Sequence, residues 1–140
     1  MSGIVIVAHA PLASALWECV QHVYSCEPGI ARREVRVLDV AAGAELDATV
    51  EQARAMVLEV DRGSGVLVLT DAFGSTPGNV AGRLADPGRV HVVAGVNLPM
   101  LLRAVCYRGG ELADLTAKAL DGGRQGMLVV EPAPATTLRR

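Results

Sequence analysis

The chain has 140 residues, the size of one ordinary domain that can bury a hydrophobic core of its own. Hydrophobic residues make up 51% of the sequence but aromatic residues only 3%, so we expect a core of aliphatic side chains and no platform on which nucleic-acid bases could stack. With a formal net charge of -2 the chain also lacks the basic surplus of proteins that grip phosphodiester backbones, which disfavours nucleic-acid binding.

The start of the chain, residues 1–8, has neither the basic region nor the long apolar stretch of a signal peptide, so a cytoplasmic location is expected. No apolar run approaches the ~20 residues of a transmembrane helix, and no direct membrane insertion is expected. Cys19, Cys26 and Cys106 lack the spacing of metal ligands. They are predicted to be small, buried, apolar side chains in a reducing compartment.

Apolar runs bounded by turn residues alternate with segments of helical period, a pattern that predicts an α/β fold with a mostly parallel sheet and helices on both faces. The predicted elements, in chain order, are strand 3–8, helix 11–25, strand 34–40, helix 45–60, strand 65–70, helix 76–85, strand 89–95, helices 99–107 and 112–120, and a short last strand 126–131. Gly122 and Gly123 are expected to form a hinge before that last strand. One domain therefore covers residues 1–131, and residues 132–140, with two prolines, are expected to be a flexible tail.

The candidate chemistry lies in the loops that follow the strands, because ligands of open α/β sheets bind beyond the carboxyl ends of the strands. This rule selects residues 8–11, 71–77 and 95–99. A neutral imidazole at His9 can attack phosphorus, and the resulting phosphoramidate stays reactive enough to be passed on. If the first and third strands are neighbours, Asp71 faces His9, fixes its tautomer and stabilises its cation. A lone strand-end histidine is most often structural, but its combination with Asp71 favours a nucleophile.

An anion-binding turn is predicted at Gly74, Ser75, Thr76 and Pro77. Thr76 is expected to be the N-cap of the next helix, with Pro77 at the first helical position. Free backbone N–H groups of Gly74 and its neighbours, together with a hydroxyl of Ser75 or Thr76, would then hold phosphoryl oxygens. The turn is not a Walker A loop, because it lacks the Gly-Lys-Ser/Thr ending.

Further residues are expected to form the walls of this site: Ala10, Phe73, Asn97 and Pro99. For Asn97 and Pro99 a second role stays open, since an asparagine can cap a helix and a proline can start one. His22 and His91 have no partner pattern and are expected to be structural or solvated, so neither a metal site nor a cofactor is expected.

Three motifs occur in a specific order along the chain. They are the strand ending in His9 (residues 4–9), the run 65–71 with the turn 74–79, and the segment 94–101. Through them the chain resembles, over residues 3–131, the mannose-family IIA component of the bacterial phosphoenolpyruvate-dependent sugar phosphotransferase system (PTS). The resemblance implies that His9 receives a phosphoryl group from phospho-HPr and delivers it to a IIB partner. It also implies that Asp71 pairs with the imidazole and that the Thr76 hydroxyl lies near the phosphoryl group.

The resemblance adds an expectation about architecture. It implies a five-stranded sheet, in which four strands are parallel and the C-terminal strand is antiparallel and exchanged between the subunits of a homodimer. The continuously apolar residues 127–130 agree with this, since such a strand, left as a free edge, would invite aggregation.

The chain departs from the family where Ala10 and Pro11 follow the histidine, since members often have glycine there. These residues restrict the loop and could change how partners fit. The IIB partner is expected to be a separate protein. Arg32 and Arg33 form a small basic spot that indicates a solvated loop or a docking point for an acidic partner.

Other functions stay open at this point. A subunit serving dihydroxyacetone kinase also phosphorylates a strand-end histidine, although the segment 95–100 favours the sugar system. A signalling or binding module of the same fold that transfers no phosphate is another alternative. Such a module would be expected to have lost His9 or Asp71, and both are present.

Overall fold

The computed structural model describes residues 1–25 and 34–133. The helices and strands, in chain order, are β1 (Gly3–His9), α1 (Leu12–Val23), β2 (Val35–Val40), α2 (Leu46–Val60), β3 (Val66–Thr70), α3 (Thr76–Gly82), β4 (Val90–Ala94), α4 (Leu98–Tyr107) and α5 (Leu112–Gln125). The predicted order of these elements is confirmed. Cys26, Arg32, Arg33 and residues 134–140, with the expectations attached to them, lie outside the described residues.

The sheet is built of parallel strands in the order β2-β1-β3-β4. The central strand β1 pairs on one side with β2, where Ile6 lies opposite Val37, and on the other with β3, where Ile6 lies opposite Leu69. The first and third strands are thus neighbours, which is the condition under which Asp71 was expected to face His9. Strand order reverses at β1 and β3, so the carboxyl ends of these two strands flank the crevice at which such sheets bind ligands.

Alternating side chains of β1 divide the core into two halves. Ile4 and Ile6 pack on the face covered by α1, α4 and α5, in a cluster with Leu101 and Leu115. Val5 and Val7 point to the opposite face, where they pack in a second cluster covered by α2 and α3. Because both faces of a parallel sheet are covered by helices, its strands read as continuous apolar runs, and the predicted three-layer arrangement is confirmed.

The two glycines near the C-terminus, Gly122 and Gly123, are not a hinge, and that prediction is wrong. Both are buried inside α5. A Cβ atom at Gly122 would lie 2.7 Å from the Cβ of Arg103, and one at Gly123 would lie 2.8 Å from the Cε of Met100. The missing side chains therefore allow α5 to lie close against α4, and the helix continues to Gln125.

The described residues contain no fifth strand, so the expected strand over 126–131 does not form within the single chain. Gly126 is the C-cap of α5, and residues 127–133 have no regular secondary structure. α5 extends five residues beyond its predicted end at residue 120 and so takes up the residues that were expected to link the last helix to this strand. Met127 and the three residues after it are between 68% and 85% exposed.

For two of the cysteines the prediction of burial is wrong, because Cys19 and Cys106 are exposed. In α1 the face that meets the sheet carries Ala13 and Val20 instead. The helix begins at Leu12, with Pro11 as its N-cap rather than within its first turn, and Cys19 faces outward. In the described part of the chain, no helix is long and apolar enough to cross a membrane.

The close contact of α4 and α5 predicts that alanine destabilises the fold at Gly122 but not at a glycine outside this contact. We expect Gly122→Ala to destabilise the fold, because its new methyl group must displace the backbone or the Arg103 side chain. The matched control is Gly82→Ala at the end of α3, where a Cβ atom meets nothing within 4 Å. Gly82→Ala should be neutral or stabilise by up to about 1 kcal/mol. Urea denaturation of both variants tests this, and a Gly122→Ala variant as stable as the parent would contradict the packing argument.

Candidate functional site

His9 and Asp71 meet at the carboxyl ends of adjacent strands. His9 is the last residue of β1, and Asp71 directly follows β3. The Nδ1 atom of His9 lies 2.6 Å from the Oδ2 atom of Asp71, and the same oxygen accepts the backbone N–H of His9 at 3.0 Å. The other carboxylate oxygen accepts the backbone N–H of Ala72 at 2.9 Å. The carboxylate is therefore held in place from both sides, and it holds both the backbone and the ring of His9.

This contact assigns the protonation of the His9 ring. An ionised carboxylate only accepts hydrogen bonds, so Nδ1 carries the proton of the neutral imidazole and Nε2 carries the free electron pair. The side chain of His9 is 56% exposed, whereas that of Asp71 is 13% exposed. The arrangement thus combines a largely exposed imidazole, whose Nε2 carries a free electron pair, with a largely shielded carboxylate.

The hydrogen bonds around Asp71 also control its ionisation. Partial burial of the carboxyl would raise its pKa, but hydrogen bonds from the backbone and ring of His9 and from the backbone of Ala72 outweigh that effect. Together they hold the pKa of Asp71 below its usual value of 3.8. The carboxylate is therefore ionised at neutral pH and can stabilise a positive charge on the ring.

The turn after Asp71 differs from the prediction in its capping residue. The N-cap of α3 is Ser75 rather than Thr76, and its hydroxyl accepts the backbone N–H of Gly78 at 3.2 Å while donating to the backbone oxygen of Ala72 at 2.6 Å. Gly74 has φ +86, a left-handed conformation that favours glycine. Because the turn places Ser75 one residue before the helix, the Ser75 hydroxyl is occupied. The exposed Thr76 hydroxyl has no hydrogen-bond partner among the described residues.

Two of the predicted wall residues lie close to His9 and Asp71 in the sequence, and both are exposed. Ala10 is exposed, and its backbone N–H donates to the backbone oxygen of Val40 at 3.0 Å. Phe73 is 94% exposed, so its side chain projects into solvent.

The other two predicted wall residues bind α5. Asn97 is the N-cap of α4: its side-chain oxygen accepts the backbone N–H of Met100 at 2.9 Å, and its side-chain nitrogen donates to the backbone oxygen of Gly123 at 3.2 Å. Pro99 lies against Gly126, where a Cβ atom would come within 2.5 Å of its ring. The capping role left open for Asn97 is the one observed, and both residues join α4 to α5.

A residue that the sequence reasoning missed, Asp39, lies in β2 opposite Ala8. Its carboxylate accepts the backbone N–H of Ser14 at 3.1 Å and also the Ser14 hydroxyl. Pro11, the N-cap of α1, offers no side-chain acceptor, so Asp39 caps this helix from the neighbouring strand. The available signal was a single acidic residue within the apolar run 35–40. Asp39 thereby fixes the start of α1 directly after the His9 loop.

The remaining histidines have other surroundings. His22 is exposed on α1, and Nδ1 of His91 lies 2.8 Å from the hydroxyl oxygen of Thr116. Among the described residues no three His, Cys, Asp or Glu side chains form a group that could hold a metal ion.

Comparisons with known proteins agree on one family. Residues 3–120 match the family model EIIA-man, a PTS system fructose IIA component. The mannose-specific PTS EIIAB component of Escherichia coli K12 is 30% identical over 122 residues, which are 84% of this chain and 38% of that protein. The chain thus spans well under half the length of this relative.

Two solved structures cover almost the whole fold. The phosphotransferase system component EIIA of Streptococcus agalactiae superposes with a TM-score of 0.77 at 26% identity, over 92% of this chain and 97% of that one. The mannose/sorbose-specific IIA subunit of Enterococcus faecalis superposes with a TM-score of 0.81 at 22% identity, over 95% and 97%. The chain belongs to the mannose family of PTS IIA components, and the predicted resemblance is confirmed.

The ionised Asp71 predicts a particular loss of stability in acid. Because its folded-state pKa lies below the unfolded value of 3.8, its contribution to stability is present above pH 3.8 and is lost as the pH falls through the folded-state pKa. We therefore expect acid to lower the free energy of unfolding more steeply in the parent than in Asp71→Asn. Urea denaturation of both proteins at a series of pH values below neutrality measures the two slopes. Identical slopes would show that Asp71 has no depressed pKa.

Proposed function

We propose that this protein is a phosphohistidine carrier of a sugar PTS, which accepts a phosphoryl group on His9 from phospho-HPr and passes it to a IIB partner in the cytoplasm. The observation that carries the proposal is the 2.6 Å contact between His9 Nδ1 and Asp71 at an exposed strand end. Membership in the IIA family supports the type of reaction.

The transfer step follows from this geometry. The free electron pair on Nε2 of His9 attacks the phosphorus of the donor's phosphohistidine. As the new N–P bond forms, the N–P bond on the donor breaks and its electron pair returns to the donor's cationic phosphoimidazolium ring, which leaves as a neutral imidazole. The ring of His9 becomes cationic while it carries the phosphoryl group, and the ionised Asp71 stabilises that charge. Delivery to the IIB partner is the same displacement with His9 as the leaving group.

Hydrogen-bond donors beside the ring would hold the phosphoryl oxygens. Thr76 is the stronger candidate of the two hydroxyls, because the Ser75 hydroxyl is committed to Ala72 and Gly78. Gly74 leaves the backbone of the turn uncovered by a side chain, so a phosphoryl group can approach it closely. We assign these residues the positioning of the phosphoryl group.

The carrier mechanism predicts where label appears and what slows it. With phosphoenolpyruvate, enzyme I and HPr, we expect mass spectrometry to find an acid-labile, base-stable phosphoryl group on His9 alone. Asp71→Ala should slow the transfer by about 10²-fold, because the ring loses its orienting carboxylate. Thr76→Val should slow transfer less, and Ser75 is expected to matter for stability more than for rate.

His9→Ala is the control that should carry no label at all. Phosphate on His22, His91 or Asp71 with none on His9 would contradict the mechanism. If Asp71→Ala transferred at the parental rate while His9→Ala was inactive, the nucleophile would stand but the pairing would not.

We further propose that the protein forms a homodimer in which residues 127–131 pair with the partner's sheet. The proposal is supported by the four consecutive apolar side chains of residues 127–130, each more than two-thirds exposed in the single chain. It is also supported by β4, the last strand of the sheet order, whose outer edge has no strand beside it in the described part of the chain. Pairing of residues 127–131 of one subunit with β4 of the other would cover both the apolar segment and the open edge of the sheet.

The exchange predicts that a variant ending at Gly126, which keeps all of α5, loses the dimer. We expect light scattering to give a dimer for the intact chain at micromolar concentration and a monomer for the truncated one, because the pairing segment is gone. Met127→Asp is the second variant, since a charge inside the new pair should weaken the dimer without shortening the chain. An intact chain that is monomeric, or a truncated chain that stays dimeric, would rule out the exchange.

A further inference from the structure

Phe73, the only phenylalanine of the sequence, is almost wholly in solvent. Its exposure is 94%, and it lies two residues after Asp71. A large aromatic side chain placed there adds nothing to the hydrophobic core and leaves apolar surface in water. Exposed apolar side chains beside a reacting group mark surfaces that bind other molecules, and aromatic residues are enriched in the centres of protein interfaces.

The turn that carries Phe73 is fixed on both sides of it. Before it, the backbone N–H of Ala72 donates to Asp71 at 2.9 Å. After it, the Ser75 hydroxyl donates to the backbone oxygen of Ala72 at 2.6 Å, across the left-handed Gly74. An aromatic ring on a rigid turn loses little conformational entropy when it is buried by a partner, which makes it an efficient anchor.

Apolar residues continue around His9 on the loops beside this turn. We call this surface the apolar rim, and its exposed members are Ala10, Pro11, Leu12, Ala41, Ala42 and Phe73. Leu12, at the start of α1, is 37% exposed, so the rim contains one larger apolar side chain from this helix and one, Phe73, from the turn after β3. A protein that reaches His9 must cover this rim.

Charged residues are few at this edge of the sheet. In the loops 10–11, 41–45, 71–75 and 95–97, all within the described ranges, the charged residues are Glu45 and Asp71. Glu45 accepts the backbone N–H groups of Asp47 and Ala48 at 3.1 and 2.7 Å, and Asp71 is bound to His9. Both carboxylates are thus engaged within the chain, and these loops carry no lysine or arginine. Apolar contact, rather than pairs of opposite charges, is what these loops offer a partner.

We propose, on the basis of the proposed function, that Phe73 is the anchor by which the phosphoryl-donor protein docks. Transfer requires the reacting atoms to come within about 3 to 3.5 Å, so the donor must lie over His9 and the apolar rim. The matching partner surface is a phosphohistidine surrounded by apolar side chains, with a recess that takes an aromatic ring. Phe73 thus serves partner recognition, whereas Asp71 supports the chemistry at His9.

The test compares a protein donor with a small one. With phospho-HPr as donor, Phe73→Ala should lower kcat/KM by about 10-fold or more, mainly through a higher KM, because the loss of a buried aromatic anchor weakens docking. With phosphoramidate, which phosphorylates histidine without docking, Phe73→Ala should react with His9 at the parental rate. Leu58→Ala is the matched control, since Leu58 is 71% exposed on α2 and lies outside the rim.

Salt gives a second measurement on the parent protein. Because the rim carries no unpaired charge, kcat/KM with phospho-HPr should change less than about threefold between about 0.1 and 1 M salt, over which exposed charges become screened. A steep fall with salt would instead assign docking to charge pairs and overturn the proposal.

Other outcomes are equally decisive. If Phe73→Ala accepts phosphate from phospho-HPr as fast as Leu58→Ala does, Phe73 is not the anchor, although the carrier function stands. If Phe73→Ala is slowed as much with phosphoramidate as with phospho-HPr, Phe73 acts on His9 itself, and a role in partner recognition is excluded. If its main effect is on the oligomeric state, the rim belongs to a contact between copies of the chain. A parent protein that takes no phosphate from phospho-HPr would overturn the carrier function and this proposal together.

Discussion

The parallel pairing of β1 with β3 is the constraint on which the site depends. Val7 lies opposite Thr70, so both strands end at the same edge of the sheet. His9 and Asp71 lie at this edge, within hydrogen-bonding distance of each other. One carboxylate oxygen then accepts from both the backbone and the ring of the histidine. A slip of one residue would turn these side chains to opposite faces, and the continuous apolar packing of β1 on both faces opposes that slip.

The surroundings of this pair are rigid, although the pair itself is open to solvent. Asp39 ties the start of α1 to β2, and the Ser75 hydroxyl ties the start of α3 to the loop after β3. An enzyme that acts on a small molecule usually encloses it in a cavity. The carrier function that we propose requires a nucleophile that two proteins can reach in turn, and the 56% exposed ring of His9 meets that requirement.

Most of the fold was predictable because its strands are buried on both faces. Such strands are uninterrupted apolar runs that can be recognised in the sequence alone, as at residues 3–8 and 65–70. The helix ends were harder, because they depend on which polar side chain reaches which N–H group. Ser75 and Thr76 are both good capping residues, and only the path of the turn back to Ala72 selects Ser75.

Local patterns were thus sufficient for the four parallel strands, their alternation with helices, and the expectation that Asp71 faces His9. Packing between distant segments settled the rest. Gly122 and Gly123 look like a hinge when seen alone, but the approach of α4 makes their small size a requirement of helix packing. The sequence places Phe73 next to the site, but only the path of the turn shows that its side chain is 94% exposed. In each case the deciding interaction joins residues far apart in the chain, or depends on a backbone path, and neither can be read from residue type and spacing.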